Sequence, residues 1–137
     1  MLRKWFVVHH ALFPSLDELG PAAAEALLDR EEARRVYCAA CRAPVSDEEQ
    51  RIDYGGAHVH RFENPQGLHF RIGCFADAPG CASVGPPTLE WTWFAGHAWQ
   101  VASCRACGAH LGWRYTDSDG GGFYGLILDH LLSSAAP

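Results

Sequence analysis

The 137 residues suffice for one domain with an ordinary core and are too few for two comfortable ones. Against 16 Asp and Glu stand 11 Lys and Arg, a formal charge of −5, and no basic run is present to track a phosphate backbone, so nucleic acid is not an expected partner. No stretch approaches the roughly 20 apolar residues that cross a bilayer, and His9 and His10 cut the apolar run at residues 5–8 short of signal-peptide length; a soluble, cytoplasmic, monomeric protein without membrane contact is expected.

In chain order, residues 1–35 read as an extension, partly helical. Ser15 followed by Glu18 resembles a capping box, Pro21 suits a first helical turn, and residues 22–35 are rich in helix formers with Glu31 and Arg35 at i,i+4. From residue 36 to 132 the signals are strand and turn. His58-Val59-His60-Arg61-Phe62 and Leu68-His69-Phe70-Arg71-Ile72-Gly73-Cys74 flank the turn-like Asn64-Pro65-Gln66-Gly67 and predict a hairpin. Residues 79–87, with Gly80, Gly85 and Pro86, read as a loop. Further strands are expected at 90–94, 99–103, 111–115 and 123–128, with an exposed turn at 117–122 and a flexible tail at 133–137. The whole is an antiparallel, all-β pattern.

Four of the six cysteines fall in two pairs, Cys38-Ala39-Ala40-Cys41 and Cys104-Arg105-Ala106-Cys107. Two intervening residues let the chain fold back so that both sulfurs reach one tetrahedral Zn²⁺, and four thiolates close its coordination sphere, leaving no position for water or substrate. One structural zinc ion is therefore expected, pinning segments far apart in sequence. Cys74 is expected in the core and Cys81 in a loop. Of the eight histidines, His58 and His60 share a strand face and read as partly exposed, and His110 is expected in the second cysteine turn without ligating metal.

Five tryptophans in so short a chain are the other oddity. A buried indole N–H needs a partner, and Leu or Val fills a core with less demand. Trp93, Trp99 and Trp113 flank the second cysteine pair; Trp113 and Tyr115, at i and i+2 of a strand, present rings on one side. Phe94-Ala95-Gly96-His97-Ala98 contains a glycine turn able to fold Trp99 back towards Trp93. Such a cage grips a methylated ammonium or a small neutral ring, and the residue types alone do not choose between them.

Asn64-Pro65-x-Gly67, Trp93-Phe94-x-Gly96-x-x-Trp99, Cys104-x-x-Cys107-x-x-His110-x-Gly112-Trp113-x-Tyr115 and Phe123-x-Gly125-Leu126, together with Cys38-x-x-Cys41, resemble the thalidomide-binding (CULT) domain of cereblon in its stand-alone, bacterial form. The resemblance implies a β-tent: two antiparallel sheets joined at the apex by a four-cysteine zinc. It implies that Trp93, Trp99 and Trp113, with Tyr115 at the base, form a pocket for glutarimides such as thalidomide, for uracil-like rings and for cyclic imides at protein C-termini. By the same resemblance Asn64 and Pro65 lie on the loop covering the pocket, Trp91 offers backbone groups to the imide, and the Trp93 indole N–H adds a bond. At Trp91 the animal proteins have His.

A binding module without catalytic residues is thus the leading expectation. An enzyme of the B-type methionine sulfoxide reductase kind, sharing the tent architecture, would need a nucleophilic cysteine facing the pocket; none follows Cys107, which leaves Cys74. A methyl-ammonium reader would place a carboxylate beside the rings, with Glu90 the nearby candidate.

Overall fold

A computed structural model describes residues 20–133, without the side chains of residues 31–33. The Ser15 and Glu18 capping box, the Glu31 side chain and nearly all of the 133–137 tail lie outside the described residues.

Helix α1 (Pro21–Arg34) starts on proline, whose missing N–H costs nothing in a first turn, and runs through Ala22, Ala23 and Ala24. It ends one residue earlier than expected, because Arg35 opens a strand. The helix is mostly exposed, and its last residue is tied back to the fold by an ion pair from Arg34 Nη1 to Glu49 Oε1 at 2.6 Å.

Among the described residues nine strands follow: β1 (Arg35–Cys38), β2 (Pro44–Asp47), β3 (Val59–Glu63), β4 (His69–Phe75), β5 (Cys81–Thr88), β6 (Ala98–Cys104), β7 (His110–Thr116), β8 (Gly122–Ile127) and β9 (Leu131–Leu132). They form two antiparallel sheets, a small one ordered β2-β1-β9 and a large one ordered β3-β4-β8-β7-β6-β5. No helix among the described residues is long and apolar enough to cross a membrane.

The register of the large sheet sorts its residues onto two faces. Trp99 lies opposite Tyr115, Tyr115 opposite Phe123, and Cys74 opposite Gly125. Since side chains alternate along a strand, this face also takes Trp113, Phe70 and Phe62. It forms an aromatic core of Cys74, Phe94, Tyr115 and Phe123, flanked by Tyr54, Phe62 and three indoles. The opposite face contributes Phe75, Cys81, Ala102, Cys104 and Leu126 to a second core, closed by Val36, Cys38 and Val45 of the small sheet.

Gly80 joins the sheets. Its N–H donates to the Val45 carbonyl at 3.0 Å, and its carbonyl accepts from the Arg105 N–H at 2.9 Å. A β-carbon there would stand 2.1 Å from the Pro44 carbonyl oxygen, so only glycine permits the approach.

Three expectations are corrected. Of the expected loop at 79–87 only residues 79 and 80 are a turn; from Cys81 the chain forms β5, an edge strand, where a proline's missing N–H costs no ladder bond. Its Gly85-Pro86-Pro87 bulges out between the pairs Val84↔Val101 and Thr88↔Trp99, with the Gln100 amide donating to the Gly85 carbonyl at 2.8 Å. Cys81 accordingly sits in the core, paired with Cys104, rather than in a loop. Residues 90–94 are not a strand, because Trp91 has φ of 61° and breaks the extended path in a turn closed by the Thr92 N–H to the Leu89 carbonyl at 3.2 Å.

Candidate metal centre and aromatic cavity

Each cysteine pair occupies the turn of a hairpin, one between β1 and β2 in the small sheet, the other between β6 and β7 in the large sheet. The two turns fold alike. Cys38 N–H donates to the Ala43 carbonyl at 2.9 Å and Cys104 N–H to the Ala109 carbonyl at 2.8 Å; the Arg42 and Gly108 N–H groups return to the Cys38 and Cys104 carbonyls, each at 2.8 Å. All four sulfurs lie within 4.8 Å of one another. Cys38 Sγ is 3.8 Å from Cys107 Sγ, and Cys41 Sγ 3.6 Å from Cys104 Sγ. Four thiolates about 2.3 Å from a tetrahedral ion stand about 3.8 Å apart, so the donor set fits one metal ion. The Ala43 N–H points at Cys41 Sγ from 3.4 Å, the kind of donor that tempers thiolate charge. His110 does not join the cluster; its Nε2 meets the Gly112 carbonyl at 3.0 Å, and burial lowers its pKa, opposed by that bond.

About 480 Å³ of cavity opens on the aromatic face, lined by Asn64, Pro65, Gln66, Trp91, Trp93, Trp99, Trp113 and Tyr115. All seven residues singled out from the sequence are brought together there. Gln66 is the one it missed, although it sits inside the expected turn between Pro65 and Gly67.

The walls are positioned by backbone and by ring packing. Trp113 rises from β7 and meets Trp93 edge-on, centroids 4.9 Å apart, while Trp93 stacks on Phe62 at 4.9 Å. The Trp93 N–H donates to the Glu63 carbonyl at 3.3 Å, a long bond, so the donor expected to face a ligand is loosely engaged within the fold. Trp99, at the start of β6, donates from Nε1 to the Glu90 carbonyl at 2.7 Å. The glycine turn forms as expected: Gly96 has φ of 78°, and the His97 N–H closes on the Phe94 carbonyl at 3.0 Å. The Asn64 amide oxygen is spent on its own loop, accepting from the N–H groups of Gln66 and Leu68 at 3.0 and 2.9 Å. It shapes the cover through an Asx turn.

Tyr115 is the buried floor, 1% exposed, with its phenol pKa raised by burial first and by Cys74 second. Gly125 leaves room for its ring, since a β-carbon there would stand 3.0 Å from Tyr115 Cε2. Cys74 is fully buried in the same core, its thiol pushed up to about 11 by burial and then by the charge of Asp53. A neutral, inaccessible thiol is a poor nucleophile. His58 and His60 are partly exposed, as expected, and bond to the Ile52 and Ala57 carbonyls at 3.0 Å each.

No family model matches the chain. Curated relatives do: cereblon of Xenopus tropicalis is 40% identical over 55 residues, covering 40% of this chain and 12% of that protein. Cereblon of Gallus gallus is 44% identical over 52 residues, 35% of this chain and 12% of the relative, and that of Danio rerio 32% identical over 75 residues, 52% and 17%. The matched stretches thus span less than a fifth of these relatives' length. With a fold of two antiparallel sheets, a four-cysteine cluster between them and these sequence matches, the chain carries a cereblon-like domain.

Proposed function

We propose that this domain is a zinc-stabilised binding module whose cavity takes a small neutral ring, a cyclic imide such as a glutarimide or a uracil-like ring, without acting on it chemically. The observation that carries the reading is the convergence of three half-buried indoles over the Tyr115 floor in a single cavity of about 480 Å³. Flat walls on several sides gain dispersion from a flat ring. No carboxylate lines the cavity among the described residues, which favours a neutral ring over a methylated ammonium.

An imide is a donor between two acceptors, and a cage that strips its water must answer all three or lose roughly 1–3 kcal/mol per orphaned group. The Trp91 peptide groups at the mouth make no backbone hydrogen bond among the described residues, and the Trp93 N–H is held only at 3.3 Å; both remain available to such a ligand. Zinc is the ion best suited to four thiolates in a cytoplasmic protein, where cysteines stay reduced. A cyclic imide at a protein C-terminus presents the same ring and extends the ligand class to modified proteins.

Titration of the zinc-loaded protein with glutarimide and with uridine, followed by tryptophan fluorescence and calorimetry, tests the reading. Saturable quenching is expected. No binding up to millimolar ligand, with one metal ion per chain verified by elemental analysis, overturns it.

A further inference from the structure

Cys81 is a fifth thiol beside the four-cysteine cluster. It stands on the edge strand β5 directly opposite Cys104 of β6, and it shares the core between the sheets with Cys38 and Cys104. The aromatic cavity makes no use of it.

The backbone shows how near the two cysteines come. In an antiparallel ladder each residue turns its N–H and C=O to the same side. The Cys104 N–H donates to the Ala109 carbonyl and the Cys104 carbonyl accepts from Gly108, both within the turn towards β7, while the Cys81 N–H donates to the Ala78 carbonyl. The ladder bond between the two strands falls instead on the neighbours, from the Arg105 N–H to the Gly80 carbonyl. Cys81 and Cys104 therefore form a non-hydrogen-bonded pair, the closer kind, with α-carbons about 4.5 Å apart. That separation lies within the roughly 4.4–6.8 Å that a disulfide spans. Both cysteines are buried, whereas Cys107, whose sulfur lies within 4.8 Å of the Cys104 sulfur, is open to solvent.

Building on the reading of the cluster as a metal site, we propose that Cys81 is an oxidation site that draws Cys104 out of the cluster as a cross-strand disulfide when a small-molecule disulfide oxidant reaches Cys107. The Cys107 thiolate attacks the oxidant, the oxidant's S–S bond breaks, and a mixed disulfide forms with release of one small thiol. Cys104 attacks the Cys107 sulfur, expels the second small thiol and closes a Cys104–Cys107 bond. Cys81 then attacks the Cys104 sulfur, and its proton passes to the departing Cys107. In sum Cys81 and Cys104 lose two hydrogens with their electrons, and one oxidant molecule becomes two thiols. A sulfur tied up in this way no longer serves as a thiolate donor, so the cluster loses its closed set of four. The bridge fastens β5 to β6 in their existing register and encloses the segment that carries Trp91, Trp93 and Trp99.

Incubation of the full zinc-loaded chain at stepped ratios of glutathione disulfide to glutathione tests this, with thiols blocked before peptide mass mapping without reduction, and retained zinc measured by elemental analysis. A Cys81–Cys104 linked peptide pair is expected to rise in step with the loss of zinc. Cys81→Ala, which keeps a small apolar side chain in the core, is expected to hold its zinc to a ratio about 10-fold more oxidising, because the bridges left to it must form within the cluster itself. Bridges confined to Cys38, Cys41, Cys104 and Cys107 with Cys81 still free, or the same ratio for wild type and variant, overturn the role of Cys81. The wild-type map decides by itself should Cys81→Ala not fold. A wild-type chain that takes up no zinc overturns the metal reading, and the map then decides the bridge alone.

Discussion

Arg42 and Gly108 occupy the same left-handed position, each one residue past the second cysteine of its turn, with φ of 66° and 77°. The two turns share one hydrogen-bonding pattern, and only the second carries the residue that suits it. Arg42→Gly relieves a backbone penalty of roughly 1–2 kcal/mol, partly offset by the freer unfolded chain. A net gain of about 0.5–1 kcal/mol is expected by denaturant unfolding, whereas Gly108→Ala is expected to lose about 1–2 kcal/mol.

Gly80 has no room for a side chain, since a β-carbon would stand 2.1 Å from the Pro44 carbonyl oxygen and 2.6 Å from Val45 Cα, both backbone atoms. Gly80→Ala therefore pushes the small sheet away from the large one beside the cysteine cluster. A loss of about 2–3 kcal/mol is expected, read as a fall in thermal midpoint of more than about 8 °C. A fall under about 2 °C would mean that the sheets are not held in contact at this point.

Loss of a metal ion from the four-cysteine cluster is expected to unfold the chain, because an ion held there would bond turns of two different sheets together and such sites contribute on the order of 10 kcal/mol to folding. Chelation should abolish near-ultraviolet circular dichroism and collapse the dispersion of tryptophan resonances, and stoichiometric Zn²⁺ should restore both. Cys41→Ser, which removes an exposed cysteine of the cluster that belongs to neither core, should reproduce the loss.

Trp99→Phe keeps a ring in the cavity wall and deletes the donor that holds the Glu90 carbonyl at 2.7 Å. The domain should lose no more than about 1.5 kcal/mol of stability. Glutarimide affinity should fall about 10-fold, since both a cavity wall and the anchor of the Trp91 turn are affected. Comparing unfolding and titration curves on one preparation separates the two effects.

Cys74 makes the fold sensitive to alkali. Its thiol titrates near 9.0 in the ordinary case and is pushed up to about 11 here, so between those values the unfolded chain gives up a proton that the folded chain keeps. The stabilisation is complete below about pH 9 and falls away as pH rises towards 11, by about 2 kcal/mol once solvent screening is allowed for. Denaturant unfolding at pH 8.5 and 10.5 should show this loss in the wild type beyond that in Cys74→Ala.

Much of the site was written locally in the sequence, and that part was legible. Cys-x-x-Cys pairs declare their geometry within a single turn, and Trp113 and Tyr115 declare a shared face through strand periodicity. What escaped depends on partners remote in sequence. Gly85-Pro86-Pro87 argues for a loop until the neighbouring strand shows that it lies on an edge. Alternation at residues 90–94 argues for a strand until the Trp99 indole captures the Glu90 carbonyl and Trp91 turns left-handed. The pairing of β9 with β1 and the role of Gly80 as a contact between sheets left no local trace at all.

Strands β6 and β7 meet at the second cysteine turn and carry Trp99, Trp113 and Tyr115 towards their other ends, Trp99 lying about 17 Å along β6 from Cys104. One hairpin therefore carries both the cysteine cluster and the cavity, so an ion and a ligand bound there would each stabilise the same folded population. By mass action, filling the cavity tightens the hold on the ion, and a shortage of the ion weakens the apparent affinity of the cavity. Under the proposed reading, a shortage of metal would leave fewer folded copies with a cavity able to take up a ring.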